Sequence, residues 1–360
     1  MVKKILFLVP YPLTESPSQR FRFEQYFQLL EEKNFRIKVQ SFLSYHNWQV
    51  FFRPGQPFGK MLTLMMGFSK RIDALFRAPF YDFIFIHREV APLGPPVFEW
   101  ILARLLRKKV IYDFDDAIWL TDRTEESSIM TFLKCRNKVR TICKWSYKIS
   151  CGNEYLSNYA RQFNMRVIHN PTTVDTIHSH NPGLFKYEGN KNQLVIGWTG
   201  SHSTLKYLQE IEGILKKIEI KFPFVQILTI ADQKPSLQLK SLNHRAWNSR
   251  TEVKDLLEID IGIMPLPNNE WSKGKCGFKA LQYMSLNIPA IASAVGVITT
   301  IIEDGANGFL CNTPEDWEST LIMLIENPQL RNAIGKKGRK TVEGSYSVAS
   351  NSSNFLSLFE

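Results

Sequence analysis

Short apolar runs alternate with amphipathic stretches along the whole chain. Residues 5–10 are the first such run, and residues 11–18, rich in Pro and Ser, follow as a loop. In 21–30 the apolar Phe21, Tyr26, Phe27 and Leu30 are available to one side of a helix, and 37–42 reads as a second strand. Residues 83–86 and 110–112 are further strands, with a helix over 98–106 between them. A basic segment over 144–150 leads into another, a helix follows near 155–163, and 167–169 is a last short strand. This β-loop-α-β order predicts a doubly wound parallel sheet.

Residues 175–192 are polar and carry Pro, Gly, Asn and His, after which the pattern restarts. Strands are expected at 194–198, 225–230, 259–265 and 290–292, with weaker ones at 246–247 and 308–310. Helices are expected at 204–216, 252–258, 314–326 and 328–337. The predicted organisation is an N-terminal Rossmann-like domain over 1–175, a linker over 176–192 and a C-terminal Rossmann-like domain over 193–344. A tail over 345–360 is expected to pack as a short helix.

Residues 59–80 interleave Leu62, Leu64, Met65, Met66, Phe68, Ile72, Leu75 and Phe76 with Lys60, Lys70, Arg71 and Arg77. A helix here is amphipathic and basic. The favoured expectation is a core-facing helix with a solvated basic side; the other is a helix lying on an anionic membrane. No apolar run of about 18 residues is present, so no transmembrane helix is expected, and 1–10 reads as a first strand rather than a leader.

Forty-five Lys and Arg against 34 Asp and Glu give +11, which favours anionic partners such as nucleotide phosphates and lipid headgroups. Nucleic acid is suggested by charge alone, since there is no zinc finger, RNA-binding signature or aromatic-basic ladder. Five cysteines form no paired metal motif and imply a reducing cytoplasm with mostly buried thiols. Cys276 is the one to watch, because it lies in a loop.

Two consecutive strands of the first half end in polar clusters, His87-Arg88-Glu89 and Asp113-Phe-Asp-Asp116, at the edge where open α/β sheets bind ligands. His87 suits a sugar-positioning or acid-base role. Arg20 and Arg22 at the first strand's mouth suit surface salt bridges or an anion or acceptor contact. Asp113, Asp115 and Asp116 suit sugar hydroxyls, helix capping or structure ahead of a metal. The first loop lacks the GxGxxG fingerprint of dinucleotide enzymes. In the second half, Gly200 and Ser201 can offer amides to a diphosphate, with His202 beside them. Residues 273–284 run from a glycine loop into a helix, with Lys275, Lys279 and Gln282 on one face; Gly277 and the lysines suit a phosphate.

The runs Asp260-Ile-Gly-Ile-Met-Pro265, Gly277-Phe-Lys-Ala-Leu-Gln-Tyr-Met284, Asn287-Ile-Pro-Ala-Ile-Ala-Ser293 and Glu303-Asp-Gly-Ala-Asn-Gly-Phe-Leu310 resemble the GT-B glycosyltransferases of family four, retaining enzymes that use nucleotide sugars. The resemblance implies an α/β GT-B fold, two Rossmann-like domains facing across a cleft, with the donor bound mainly in the second. It implies a UDP- or GDP-linked donor, no metal or other cofactor, and retention at the anomeric carbon, the leaving diphosphate helping to deprotonate the acceptor. The family's paired glutamates fall here on Gly274 and Gln282; the later one normally holds the donor ribose, and Glu270 is the nearest upstream acid. By this resemblance His87 and Lys275 are the catalytic candidates. Gly200, Ser201, His202, Lys275, Gly277, Lys279 and Gln282 hold the donor, and Arg20, Arg88, Glu89, Asp113, Asp115 and Asp116 line the acceptor or sugar pocket. The expected function is transfer of a sugar to a polysaccharide, lipopolysaccharide or glycolipid acceptor, in the cytoplasm and peripheral to the inner face of the cell membrane. The alternative is a non-catalytic sugar-nucleotide-binding or scaffolding protein on the same fold.

Overall fold

The computed structural model describes residues 2–53, 55–121, 133–185 and 193–360. The chain divides into two compact units, Met1–Thr172 with Ser352–Glu360, and Thr173–Asn351. Each is built on a six-stranded parallel sheet.

In unit 1 the strands are β1 (Lys3–Val9), β2 (Phe35–Ser41), β3 (Phe83–His87), β4 (Lys109–Phe114), β5 (Lys148–Cys151) and β6 (Val167–His169). Their order across the sheet is β2-β1-β3-β4-β5-β6. Ile5 to Val9 of β1, all of β3 and Val110 to Phe114 of β4 are buried, as strands covered on both faces must be, which is why they read as apolar runs up to His87 and Asp113. The helical stretch expected at 21–30 is two short pieces, Glu24–Tyr26 and Phe27–Glu32, preceded by a further turn at Pro17–Arg20. The chain's last segment completes this core. Phe355 stacks on Tyr26 with ring centroids 4.1 Å apart, and Phe359 packs against Phe7, Phe83 and Phe85.

Unit 2 contains β7 (Leu194–Gly200), β8 (Val225–Ala231), β9 (Leu242–Ala246), β10 (Ile261–Met264), β11 (Ala290–Ser293) and β12 (Phe309–Cys311), ordered β12-β11-β10-β7-β8-β9. β9 lies upstream of the expected 246–247. As an edge strand with half-buried and exposed positions, it carries no apolar run to mark it. The helix expected at 204–216 is two, Leu205–Gln209 and Glu212–Lys221.

Two boundaries differ from expectation. Residues 173–185 are part of unit 2: His180 is fully buried, and Arg339 donates to the carbonyls of Thr176 and His180, each at 3.1 Å. Of the expected linker, 186–192 lies outside the described residues. The expected tail is also not one piece, because 345–351 belongs to unit 2 and Ser352–Glu360 to unit 1.

The Pro57–Arg77 helix faces the core only in part. Its buried residues are Thr63, Gly67, Arg71 and Ala74, with Leu64 and Phe68 packed on Phe42, while Phe58, Met61, Met65, Ile72 and Phe76 are exposed. Arg71 sets this orientation: its guanidinium donates to the carbonyls of Val9, Gln40 and Val90, each at 2.7 Å. Burial lowers its pKa, with Glu99 opposing.

Candidate functional site

In each unit the candidate residues gather where strands end, at the carboxyl edge of a parallel sheet. The two clusters are described separately.

In unit 1 the centre is Asp113, the penultimate residue of β4. It is fully buried, and both carboxylate oxygens face protein. Oδ1 accepts from the Arg22 guanidinium and from Ser150 Oγ at 2.6 Å, and Oδ2 accepts from His87 Nδ1 at 2.8 Å. Arg22 also donates to Ser150 Oγ at 3.0 Å and to the Asn170 carbonyl. Burial alone would disfavour the charge, but Arg22 and His87 together hold Asp113 well below the usual carboxylate range. This corrects Asp113 as a sugar contact: it is a buried anchor for its neighbours. Asp113 orients the ring through Nδ1, and His87 Nε2 lies 3.4 Å from Ser18 Oγ in the Pro17–Arg20 turn. His87 itself is fully buried.

Arg88 has a φ of 62°, a left-handed conformation at the end of β3. Its amide donates to the Asp113 carbonyl at 2.7 Å. Its guanidinium donates to Asp115 at 2.9 Å and to Asp116 at 2.8 Å. Those two aspartates are half-buried and engaged with a cation, so their first role here is to hold Arg88. Glu89 pairs with Lys138 at 2.7 Å. Arg20 is half-buried and lies over the Phe21 ring at 4.9 Å. Among the described residues, no group of three or more His, Cys, Asp or Glu side chains is arranged to hold a metal ion.

In unit 2 the Phe278–Ser285 helix is bolted to the sheet by Tyr283. Its hydroxyl accepts from the Thr199 amide of β7 at 2.9 Å and donates to the Ile263 carbonyl of β10 at 3.3 Å. Its ring lies where a side chain on Gly262 would be, since a Cβ there would meet it at 2.3 Å. Gly277 opens the helix with a φ of 71°, and a Cβ would strike Ile301 at 2.4 Å. Only glycine combines that conformation with that approach. Half-buried Lys279, in the first turn of the helix, reaches back toward β7, its Nζ 5.4 Å from the Trp198 ring centroid, whereas Lys275 precedes the helix, so the two do not share the expected helical face. A Cβ on Gly200 would sit 2.8 Å from Lys279 Cε. Lys275 lies over Trp271 at 4.9 Å. Ser201 and His202 are exposed beyond β7; the His202 amide donates to Asp232 at 2.6 Å, and its Nδ1 is 2.5 Å from the same carboxylate.

Gln282 is buried, and its surroundings contain a residue that spacing alone does not reveal. Its Nε2 donates to Glu252 Oε1 at 3.2 Å and sits 3.3 Å from His180 Nε2. Trp247 Nε1 donates to the same Glu252 oxygen at 3.0 Å. The carboxylate can only accept, which fixes the amide group toward Glu252 and leaves Gln282 Oε1 on the opposite side as an acceptor. Glu270, the nearest upstream acid, is instead an exposed partner of Lys273 at 2.6 Å. Gly274 caps the Glu270–Lys273 turn. Glu252, Trp247 and His180 were absent from the sequence candidates; the start of a helix just past an edge strand was the available signal for Glu252.

Residues 237–341 match the family described as glycosyl transferases group 1. An uncharacterised glycosyltransferase of Methanocaldococcus jannaschii is 36% identical over 66 residues, 18% of this chain and 19% of that protein. A D-inositol 3-phosphate glycosyltransferase of Nocardioides sp. is 35% identical over 60 residues, 16% of this chain and 13% of that one. The chain thus spans less than a fifth of either curated relative. Sucrose-phosphate synthase of Thermosynechococcus elongatus superposes with a TM-score of 0.67 at 13% identity, covering 99% of this chain and 98% of that one. Anabaena HepE, solved with UDP and glucose, gives 0.65 at 14% identity and 99% of both chains. At such identities the likeness is one of fold, and the fold is GT-B.

Proposed function

We propose, with a group 1 glycosyltransferase domain on a GT-B fold as the premise, that this chain moves a sugar from a nucleoside-diphosphate sugar to an acceptor with retention at the anomeric carbon. The observation that carries the reading is the convergence of Lys279 with the glycine end of β7, which brings an ammonium and a bare backbone edge to one point. That combination suits a diphosphate.

In this reading the amides of Gly200 and Ser201 and the Gly277 loop cradle the diphosphate, with His202 held beside them by Asp232. Lys275 and Lys279 stabilise the charge that grows on the leaving group as the glycosidic bond breaks. Gln282 Oε1 accepts from a ribose hydroxyl, its amide held by Glu252. The departing diphosphate takes the acceptor proton on the same face, so the scheme needs no protein nucleophile and no metal.

Unit 1 serves the acceptor side. His87, oriented by Asp113, positions a hydroxyl, and Arg20, Arg88, Glu89, Asp115 and Asp116 shape the pocket. The donor is UDP-linked in the first instance, as in the UDP-bound HepE neighbour, and GDP-linked in the second. The acceptor is a polysaccharide, lipopolysaccharide or glycolipid chain presented at the inner face of the cell membrane.

Calorimetric titration with UDP-, GDP-, CMP- and ADP-sugars, followed by product analysis on an acceptor extract, tests this. Micromolar binding of one donor with transfer and retained configuration is expected. Binding without turnover across the panel would leave the scaffolding alternative.

A further inference from the structure

The Pro57–Arg77 helix keeps part of its apolar surface away from its own core. Inward it offers Leu64 and Phe68, small residues and one cation: Leu64 and Phe68 pack on the Phe42 cluster, a Cβ on Gly67 would strike the Phe42 ring at 2.3 Å, and Arg71 is tied to three carbonyls. Outward, Phe58, Met61, Met65, Ile72 and Phe76 follow one another at three-, four- and seven-residue spacing, and Phe80 continues the line. Phe58 is 73% exposed, Met65 61% and Phe76 76%. The helix of 21 residues makes this an apolar stripe about 30 Å long. Rotation cannot hide it, because turning the helix would strip Arg71 of its partners.

The charge around the stripe is mostly positive. Residues 45–80 hold five Lys and Arg, of which Arg71 is buried, against a single acid, Asp73, which pairs with Arg77 at 2.9 Å. Arg53 and Lys60 lie by its first turns. At its far end Phe80 lines a cavity of about 380 Å³ whose charged lining is Lys3, Arg107, Lys108 and Lys109 with Asp82. No helix among the described residues is long and apolar enough to cross a membrane. A line of large apolar side chains flanked by cations matches a helix that lies in the headgroup zone of an anionic bilayer.

We propose that this outward face docks unit 1 onto an anionic lipid surface, with the apolar stripe entering the acyl boundary and the flanking cations meeting phosphate headgroups. The inference deepens the acceptor reading above and rests on it for the choice of lipid over protein.

The test is sedimentation of the full chain with phosphatidylglycerol-containing vesicles and with pure phosphatidylcholine vesicles, beside calorimetry with UDP. The chain is expected to bind the anionic vesicles preferentially. The double variant Met65→Ser/Phe76→Ser should lose roughly a hundredfold in vesicle affinity, about tenfold per side chain. Arg53→Gln/Lys60→Gln should lose several-fold and weaken the salt dependence. UDP affinity should not change in either. Vesicle binding without UDP binding would keep the docking face and overturn the donor reading; UDP binding without vesicle binding would do the reverse. Vesicle affinity equal in wild type and the Met65/Phe76 variant would overturn the proposal. So would a concentration-dependent dimer that the same variant dissolves, since the stripe would then belong to a second copy.

Discussion

Glu252 Oε1 and Gln282 Nε2 are hydrogen-bonded at 3.2 Å inside unit 2. A glutamate at 282, as in the family's usual pattern, would set two buried carboxyls against each other. Gln282→Glu is therefore expected to destabilise the protein at neutral pH by about 2 kcal/mol, because two such groups cannot both ionise. One of them would have a raised pKa in the folded state. A raised acid binds more protons folded than unfolded, so the variant should regain stability as the pH is lowered from 7 toward 5. Glu252→Gln in the same chain should rescue it. Thermal unfolding of the single and double variants across pH measures the coupling, and additive effects would refute the contact.

Lys275→Ala and Lys279→Ala should each weaken UDP binding by about tenfold, roughly 1.4 kcal/mol, with little change in unfolding temperature. Calorimetry at two salt concentrations checks both the loss and its ionic origin. Unchanged affinity in both would remove the lysines from the diphosphate.

Asp113→Asn should cost about 3 kcal/mol or more, because Arg22 would be left buried without its counter-charge. In the native protein the folded-state pKa of Asp113 is depressed. Its contribution is thus complete above the ordinary carboxylate value of about 3.9 and is lost as the pH falls below it. Denaturant titrations at pH 7 and pH 3 should show the wild type losing more stability than the Asn variant.

Arg71→Met should destabilise by about 3 kcal/mol, leaving the carbonyls of Val9, Gln40 and Val90 each without this donor. Arg71→Lys should recover only part, since a single ammonium does not reproduce the planar fork. Chemical denaturation reads both.

Both parallel sheets were legible because most of β1, β3, β4, β7 and β10 is buried and apolar. Their ends pointed to His87, Asp113 and Gly200 for the same reason: polar residues following such runs fall at one edge. β9 was misplaced because an edge strand reading Leu-Asn-His-Arg-Ala has little apolar signal. Glu252 was invisible because it meets Gln282 across 30 residues of intervening chain. The helix at 57–77 shows the limit of periodicity. The pattern located an amphipathic helix whose Leu64 and Phe68 pack inward, but Phe58, Met61, Met65, Ile72 and Phe76 face out where Arg71 takes the inward side to reach three carbonyls.

The seating of Phe355 and Phe359 beneath β1 and β3 has a consequence for how the chain is made. During synthesis the sheet of unit 1 leaves the ribosome first, yet the rings that close its core emerge only after all of unit 2. The earlier-born unit therefore waits, with Tyr26 and Phe85 uncovered, while the later one can finish. A fragment ending at Thr172 would keep that unfinished face permanently, so cutting the chain at the unit boundary should yield an aggregating first half.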